Sequence, residues 1–304
     1  MSSSSSRRRH VLALILAALC WGIGAVISKQ AVAEIPPLTL LPVQLAVSVG
    51  LLFLVARHRG EHVPRDRDGR RLGRLGLLNP GLAYALSLLG LAQISASLSV
   101  LLWALEPILI LALAVLLLRE RPGSALAVLS AVAVGGLALV LYDPAASGAT
   151  PGILLTIAGV ACCAVYTVAT RRWLPGMDST LGVVVAQQAH ALGFAVALLV
   201  AAAAAGVEVL PTALTPAGIA STVLSGLVYY GLAYAFYVSG LRRVPASVAA
   251  MSFYLIPVFG VAAASLYGDS LAPVQWVGAL VVVIAVAAVA VRAAAAEAPA
   301  ALTG

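Results

Sequence analysis

One acidic residue stands inside a long uncharged run, Glu106 in Val100-Leu101-Leu102-Trp103-Ala104-Leu105-Glu106-Pro107-Ile108. A charged acid at the centre of an apolar span costs about 2.5–3.5 kcal/mol, so it must face a cavity, find a partner or take up a proton. Its chemistry there is the capture of a proton or of a substrate amine; the competing role is a structural hydrogen bond from a protonated carboxyl. Pro107 follows it, and Pro257 occupies the matching place in Tyr254-Leu255-Ile256-Pro257. A proline has no N–H, so each frees the carbonyl four residues back, on Trp103 and Phe253, and is expected to act as a kink or hinge. Tyr84, Tyr234, Tyr166 and Tyr254 bring phenol groups, and Trp21, Trp103 and Phe253 bring flat apolar faces. A buried tyrosine needs a partner for its hydroxyl, which a substrate can supply, although packing serves equally. Gln44, Gln188 and His190 add two amides and an imidazole, the side chain most often used as a proton relay. These groups suit substrate binding. The chain has no metal-ligand spacing, no nucleotide loop and no Ser/His/Asp set, so neither an enzyme nor a cofactor is expected.

The elements that must position these groups are apolar throughout. The chain is 62% hydrophobic and 10% charged over 304 residues, where soluble domains carry roughly 25% charged residues. Apolar residues come in long runs, and about 20 of them cross a hydrocarbon core. Ten spans are expected, near 11–29, 37–56, 75–94, 96–118, 124–142, 152–170, 181–204, 217–241, 246–268 and 271–291. Too little chain remains between them for a soluble domain.

With a cytoplasmic N-terminus, ten spans place Arg7, Arg8, Arg9, the arginines of the 57–74 loop, Arg119, Arg121, Arg171, Arg172, Arg242, Arg243 and Arg292 on one side. Lys29 is the single basic residue outside that set. The opposite loops carry Glu34, Asp143, Glu208 and Asp269. This is the positive-inside bias, and it predicts an inner-membrane protein with both tails, 1–10 and 293–304, in the cytoplasm. The net charge of +7 then reflects arginines facing anionic membrane lipids, not nucleic acid. Cys20, Cys162 and Cys163 fall inside spans, with no metal spacing and no pair placed for a disulfide. Arg7 to His10, an apolar run and Ala31-Val32-Ala33 imitate a cleavable signal, but Trp21, Lys29 and nine further spans argue that the segment stays.

An internal repeat organises the whole. Gly81-Leu82-Ala83-Tyr84-Ala85 recurs as Gly231-Leu232-Ala233-Tyr234-Ala235, and at that offset of 150 eleven of 27 positions between 81–107 and 231–257 are identical. Cys20 to Lys29 matches Cys163 to Arg172 more loosely. A unit of five spans is odd, so its two copies, 11–143 and 151–292, must lie inverted about an axis in the membrane plane. The expected fold is an all-α membrane protein of ten transmembrane helices as two inverted five-helix repeats. Inverted repeats let a carrier exchange two conformations around a central site. That site is expected on the axis, near Tyr84, Trp103 and Glu106 and their counterparts Tyr234, Phe253 and Ile256.

Cys20-Trp21-Gly22 with Lys29, Ala96-Ser97 to Glu106-Pro107, and Arg119-Glu120-Arg121 resemble the first repeat of an EamA domain. Leu241-Arg242-Arg243-Val244-Pro245-Ala246-Ser247, Tyr254 to Pro257 and Gly268-Asp269 resemble the second. The resemblance is to the drug/metabolite transporter superfamily and covers roughly residues 11–292. It implies ten helices, cytoplasmic termini and export of amino acids or related metabolites. Ile256, Gln44 and Ala164 depart from the family pattern where Glu, Arg and Trp are common. The expected activity is secondary transport of a small-molecule substrate, with an uptake permease, a lipid-carrier flippase or a non-transporting scaffold or sensor as alternatives. A monomer suffices for this design, and a homodimer is compatible with it.

Overall fold

The structure is a computed structural model that describes residues 2–32, 34–91, 93, 102–103, 105–120, 123–140, 150–211, 214–265 and 273–295. Expectations for Ala96, Ser97, Arg121, Asp143, Asp269 and the Lys29 side chain lie outside the described residues. Helices account for almost everything that is described. The first repeat holds α1 (Ser2–Val32), α2 (Pro37–His58), α3 (Arg67–Gly76), α4 (Ala83–Leu91), α5 (Glu106–Leu118) and α6 (Ser124–Val140). The second holds α7 (Thr150–Trp173), α8 (Thr180–Ala204), α9 (Pro216–Ser225), α10 (Ala233–Leu241), α11 (Ala246–Ala250), α12 (Leu255–Ser265) and α13 (Pro273–Ala295). Because α3 runs on into α4, α9 into α10 and α11 into α12, ten segments result, five to a repeat.

Five helices are individually long and apolar enough to cross a membrane: Arg8–Val32, Pro37–His58, Thr150–Gly176, Thr180–Ala204 and Pro216–Leu241. Glu106–Leu118, Ser124–Leu139, Ala246–Gly260 and Trp276–Val289 are shorter apolar helices. The third segment departs from expectation at its start, since its helix begins at Arg67, inside the stretch read as the 57–74 loop. Asp66 caps it by accepting from the Gly69 N–H at 3.3 Å, and its arginines stay exposed while Leu72 is buried. Hydropathy hid this amphipathic helix, since one buried face is enough to hold it. The first helix likewise extends back to Ser2, ahead of the span expected from residue 11.

Packing runs across the two repeats. α1 lies against α10 and α12, and α7, its counterpart, lies against α4 and α5. α2 packs on α8 and α6 on α13, each on its own counterpart, and α5 packs on α11, which belongs to the matching fourth segment of the other repeat. Elements that meet their own repeat partner must do so at a pseudo-two-fold axis, so α2 with α8 and α6 with α13 lie along that axis, and the fourth segments of the two repeats meet there through α5 and α11. Close approach is built in twice. A Cβ on Gly76 would strike the Gln187 carbonyl, and one on Gly226, 150 residues on, would lie 2.9 Å from the Gln44 carbonyl. Only glycine lets those backbones meet.

Between α3 and α4, and again between α9 and α10, the helix widens into a turn closed by i→i+5 bonds, Ala83 N–H to Leu78 O and Ala233 N–H to Val228 O. The two turns are the same place in the repeat, but only the first is broken: Asn79 is extended at φ −147° and ψ 123°. Widened turns of this kind are common at functional sites.

Candidate functional site

The widened turns bring aromatic side chains of the two repeats together. Tyr84, just past the first turn, donates its hydroxyl to Tyr229 OH at 3.2 Å, and Tyr234 donates to Asn79 Oδ1 at 3.1 Å. Tyr84 and Tyr234 are counterparts, and so are Asn79 and Tyr229, so one contact is made twice across the axis. Around these pairs the rings form a band. Trp103 lies 6.2 Å from Tyr84, which is 5.7 Å from Tyr230, and Tyr230 stacks at 6.4 Å on Tyr234. Trp21 then meets Tyr234 edge-on at 5.4 Å, Tyr237 at 5.3 Å and Phe253 at 5.5 Å. Tyr166 touches the band at Tyr234, 6.5 Å away. Both repeats contribute to it.

Glu106 opens α5 beside this band. Its side chain is 8% exposed and makes no hydrogen bond among the described residues. It lies near enough to Tyr237, Tyr229 and Cys163 to act on them electrostatically. The Trp21 indole N–H is also buried without an acceptor. Buried polar groups are nearly always paired. An unpaired acid and an unpaired donor on one aromatic band are therefore groups left over for something that is not protein. Pro107 and Pro257 both stand in a first turn, of α5 and of α12, and a 3₁₀ turn over Met251–Tyr254 precedes the second. The change in helix winding thus comes just before each proline.

Other residues singled out by sequence lie apart from the band or are already satisfied. Gln44 Nε2 donates to Ser28 Oγ at 2.8 Å and to Ser225 Oγ at 2.6 Å. Gln188 accepts from Ser48 Oγ and donates to Tyr230 O at 2.7 Å, so it joins α8 to α2 and the second widened turn, while Gln44 joins α2 to α1 and the end of α9. Tyr166 donates to Gln187 Oε1 at 3.0 Å. His190 is exposed and its Nδ1 lies 2.7 Å from Ala186 O, one turn back in its own helix. Tyr254 is bonded to Ser130 Oγ at 2.9 Å in a separate core between α6, α12 and α13. A cleft of about 340 Å³ lined by Ile108, Leu111, Ala127, Ser130, Ala131 and Val134 shares no residue with the band, and its apolar wall offers no convergent polar groups.

Sequence reasoning missed Asn79 and Tyr229. Asn79-Pro80 is a strong turn signal, and the offset of 150 pairs Asn79 with Tyr229, so both were in reach.

A sequence profile described as the EamA-like transporter family matches residues 8–142 and again residues 150–291. No curated protein matches the chain in sequence. A crystal structure of another protein superposes with a TM-score of 0.78 at 20% identity, covering 94% of this chain and 97% of its own. At that identity the likeness concerns the fold alone.

Proposed function

This chain belongs to the EamA-like transporter family, and from that premise we propose that it is a secondary transporter exporting small amphipathic solutes across the inner membrane by alternating access. One observation carries the reading: on an aromatic band that both repeats build, the Trp21 N–H is buried without an acceptor, and Glu106, 8% exposed, makes no hydrogen bond among the described residues. A solute with an amino end and an apolar end fits those groups. Its ammonium pairs with Glu106, an acceptor on it takes the Trp21 N–H, and its apolar part lies among Tyr84, Trp103, Tyr234 and Phe253. Ile256 stands opposite Glu106 in the repeat and Ala164 opposite Trp21, so the site is lopsided and gives the solute one orientation. Pro107 and Pro257 serve as hinges for α5 and α12. Export is the direction the family resemblance implies, and the arginine distribution supports cytoplasmic termini.

The test begins with purified protein in a thermal-shift screen of amino acids, monoamines and their neutral analogues. A ligand at 100 times its Kd raises stability by about 2.7 kcal/mol, which is readily seen. Solutes that stabilise the protein should be carried into proteoliposomes as labelled compounds. If none of them crosses faster than in protein-free vesicles, the transporter reading fails and a scaffold becomes the better account.

A further inference from the structure

α5 ends in an unusual way. Arg119 adopts φ 55°, the one positive φ at a non-glycine among the described residues, and the left-handed region is disfavoured for such a side chain. The Glu120 N–H folds back to Ala114 O at 3.2 Å, which turns the Glu120 side chain away from its own repeat. There it accepts from Ala246 N–H at 3.0 Å, from Ser247 N–H at 3.1 Å and from Ser247 Oγ. Pro245 precedes α11 and offers no side-chain cap, so a carboxylate from the other repeat satisfies that first turn. Beside it, Arg171 Nε donates to Val244 O at 3.0 Å.

We infer that Glu120 is a gate residue that closes the pathway on the arginine-bearing face by clasping the start of α11. The inference rests on the transporter reading above. α5 and α11–α12 carry Glu106, Pro107, Phe253 and Pro257, and Glu120 lies about 21 Å along the chain direction from Glu106 at 1.5 Å per helical residue. A solute passing between Glu106 and this face must part these two helix ends, which breaks all three bonds to Glu120. Other ties between the repeats do not gate. Glu34 to Thr215 and Thr39 to Val209 join one face, while Glu61 to Ser179 and Leu181 joins the other. Ties on both faces stand formed in one structure, at the starts of α2, α8 and α9 and in the connections beside them, and they act as scaffold.

The test uses Cys163, which is buried beside the band, in a background with Cys20→Ala and Cys162→Ala. A small membrane-impermeant thiol reagent is applied to inside-out and right-side-out vesicles, so the readout needs no substrate. Glu120→Ala should raise the Cys163 labelling rate from the arginine-bearing face about tenfold, as about 1.4 kcal/mol of lost closure would. Ser247→Ala should raise it less, and Glu34→Ala not at all. Glu120→Gln keeps one carbonyl acceptor, should fall between, and serves if the alanine variant does not fold. An unchanged rate in a variant that elutes and melts like the parent overturns the gate, and so does an equal rise from both faces, which would mean a loosened fold. If no solute is transported but labelling responds as expected, the transporter reading fails while the clasp stands.

Discussion

At the scale of single residues, the unpaired Glu106 carries the most weight, because a buried acid with no protein partner is costly unless a proton, a solute or water answers it. Glu106→Gln keeps the shape and a hydrogen-bonding amide but can neither hold an ammonium nor release a proton. Flux of a solute identified by thermal shift should fall at least about tenfold, the effect of losing roughly 1.4 kcal/mol, with little change in yield. Equal flux for both proteins between about pH 5.5 and pH 8 would leave Glu106 a strut. Tyr84 and Tyr234 offer a sharper test of the shared central site. Each hydroxyl is donated to the other repeat, so Tyr84→Ala and Tyr234→Ala should both weaken binding of the same ligand, measured at matched protein stability. If one tyrosine matters and its counterpart is silent, the site belongs to a single repeat. The tyrosines were legible from the repeat alone. Their partners were harder to see, because Asn79 and Tyr229 differ in type and only the offset of 150 pairs them.

Among the elements, the helices that meet at the axis depend on glycine. Gly76→Ala would drive a methyl into the Gln187 carbonyl and should destabilise by about 1–3 kcal/mol, the range for overpacking a close contact. Gly226→Ala meets the Gln44 carbonyl less closely and should cost less; heat-induced loss of monodispersity, compared for the two variants, checks the order. The tie between Glu34 and the start of α9 adds a pH test. Hydrogen bonds from the Thr215 hydroxyl and N–H hold the Glu34 carboxyl below its ordinary value. A lowered carboxyl stabilises above its unfolded pKa and loses that contribution as pH falls through its folded pKa, so the tie should open only in acid. Thr215→Val removes the larger cause and should move the opening to higher pH, followed as faster amide exchange in the first turn of α9. Element boundaries were less legible than element existence. Ten apolar runs stood out, but α3 was read as loop because four arginines outweighed one buried leucine, Leu72, in any average over its residues.

For the whole molecule, the symmetry inferred from five repeated residues, Gly81 to Ala85, is the symmetry of the packing, since odd-numbered repeats can match only when inverted. Orientation in the membrane is a separate matter, and the charges bear on it. Arg57, Arg59, Arg65, Arg67, Arg70, Arg71 and Arg74 are all exposed, and among them Arg71 pairs with Asp68, at 3.1 Å. By the positive-inside bias such a surface is expected on the cytoplasmic side, where it would also meet anionic headgroups. A single cysteine replacing Arg67, in a protein without its native cysteines, should therefore resist an impermeant maleimide in intact cells and react after permeabilisation. A cysteine replacing Val207, exposed in the connection after α8, should react in intact cells. Both sites lie in well-exposed segments, so a failure to react reports sidedness and not burial. Labelling in the opposite sense would turn the molecule over, move Glu120 and its clasp to the outer face, and make that clasp an external gate.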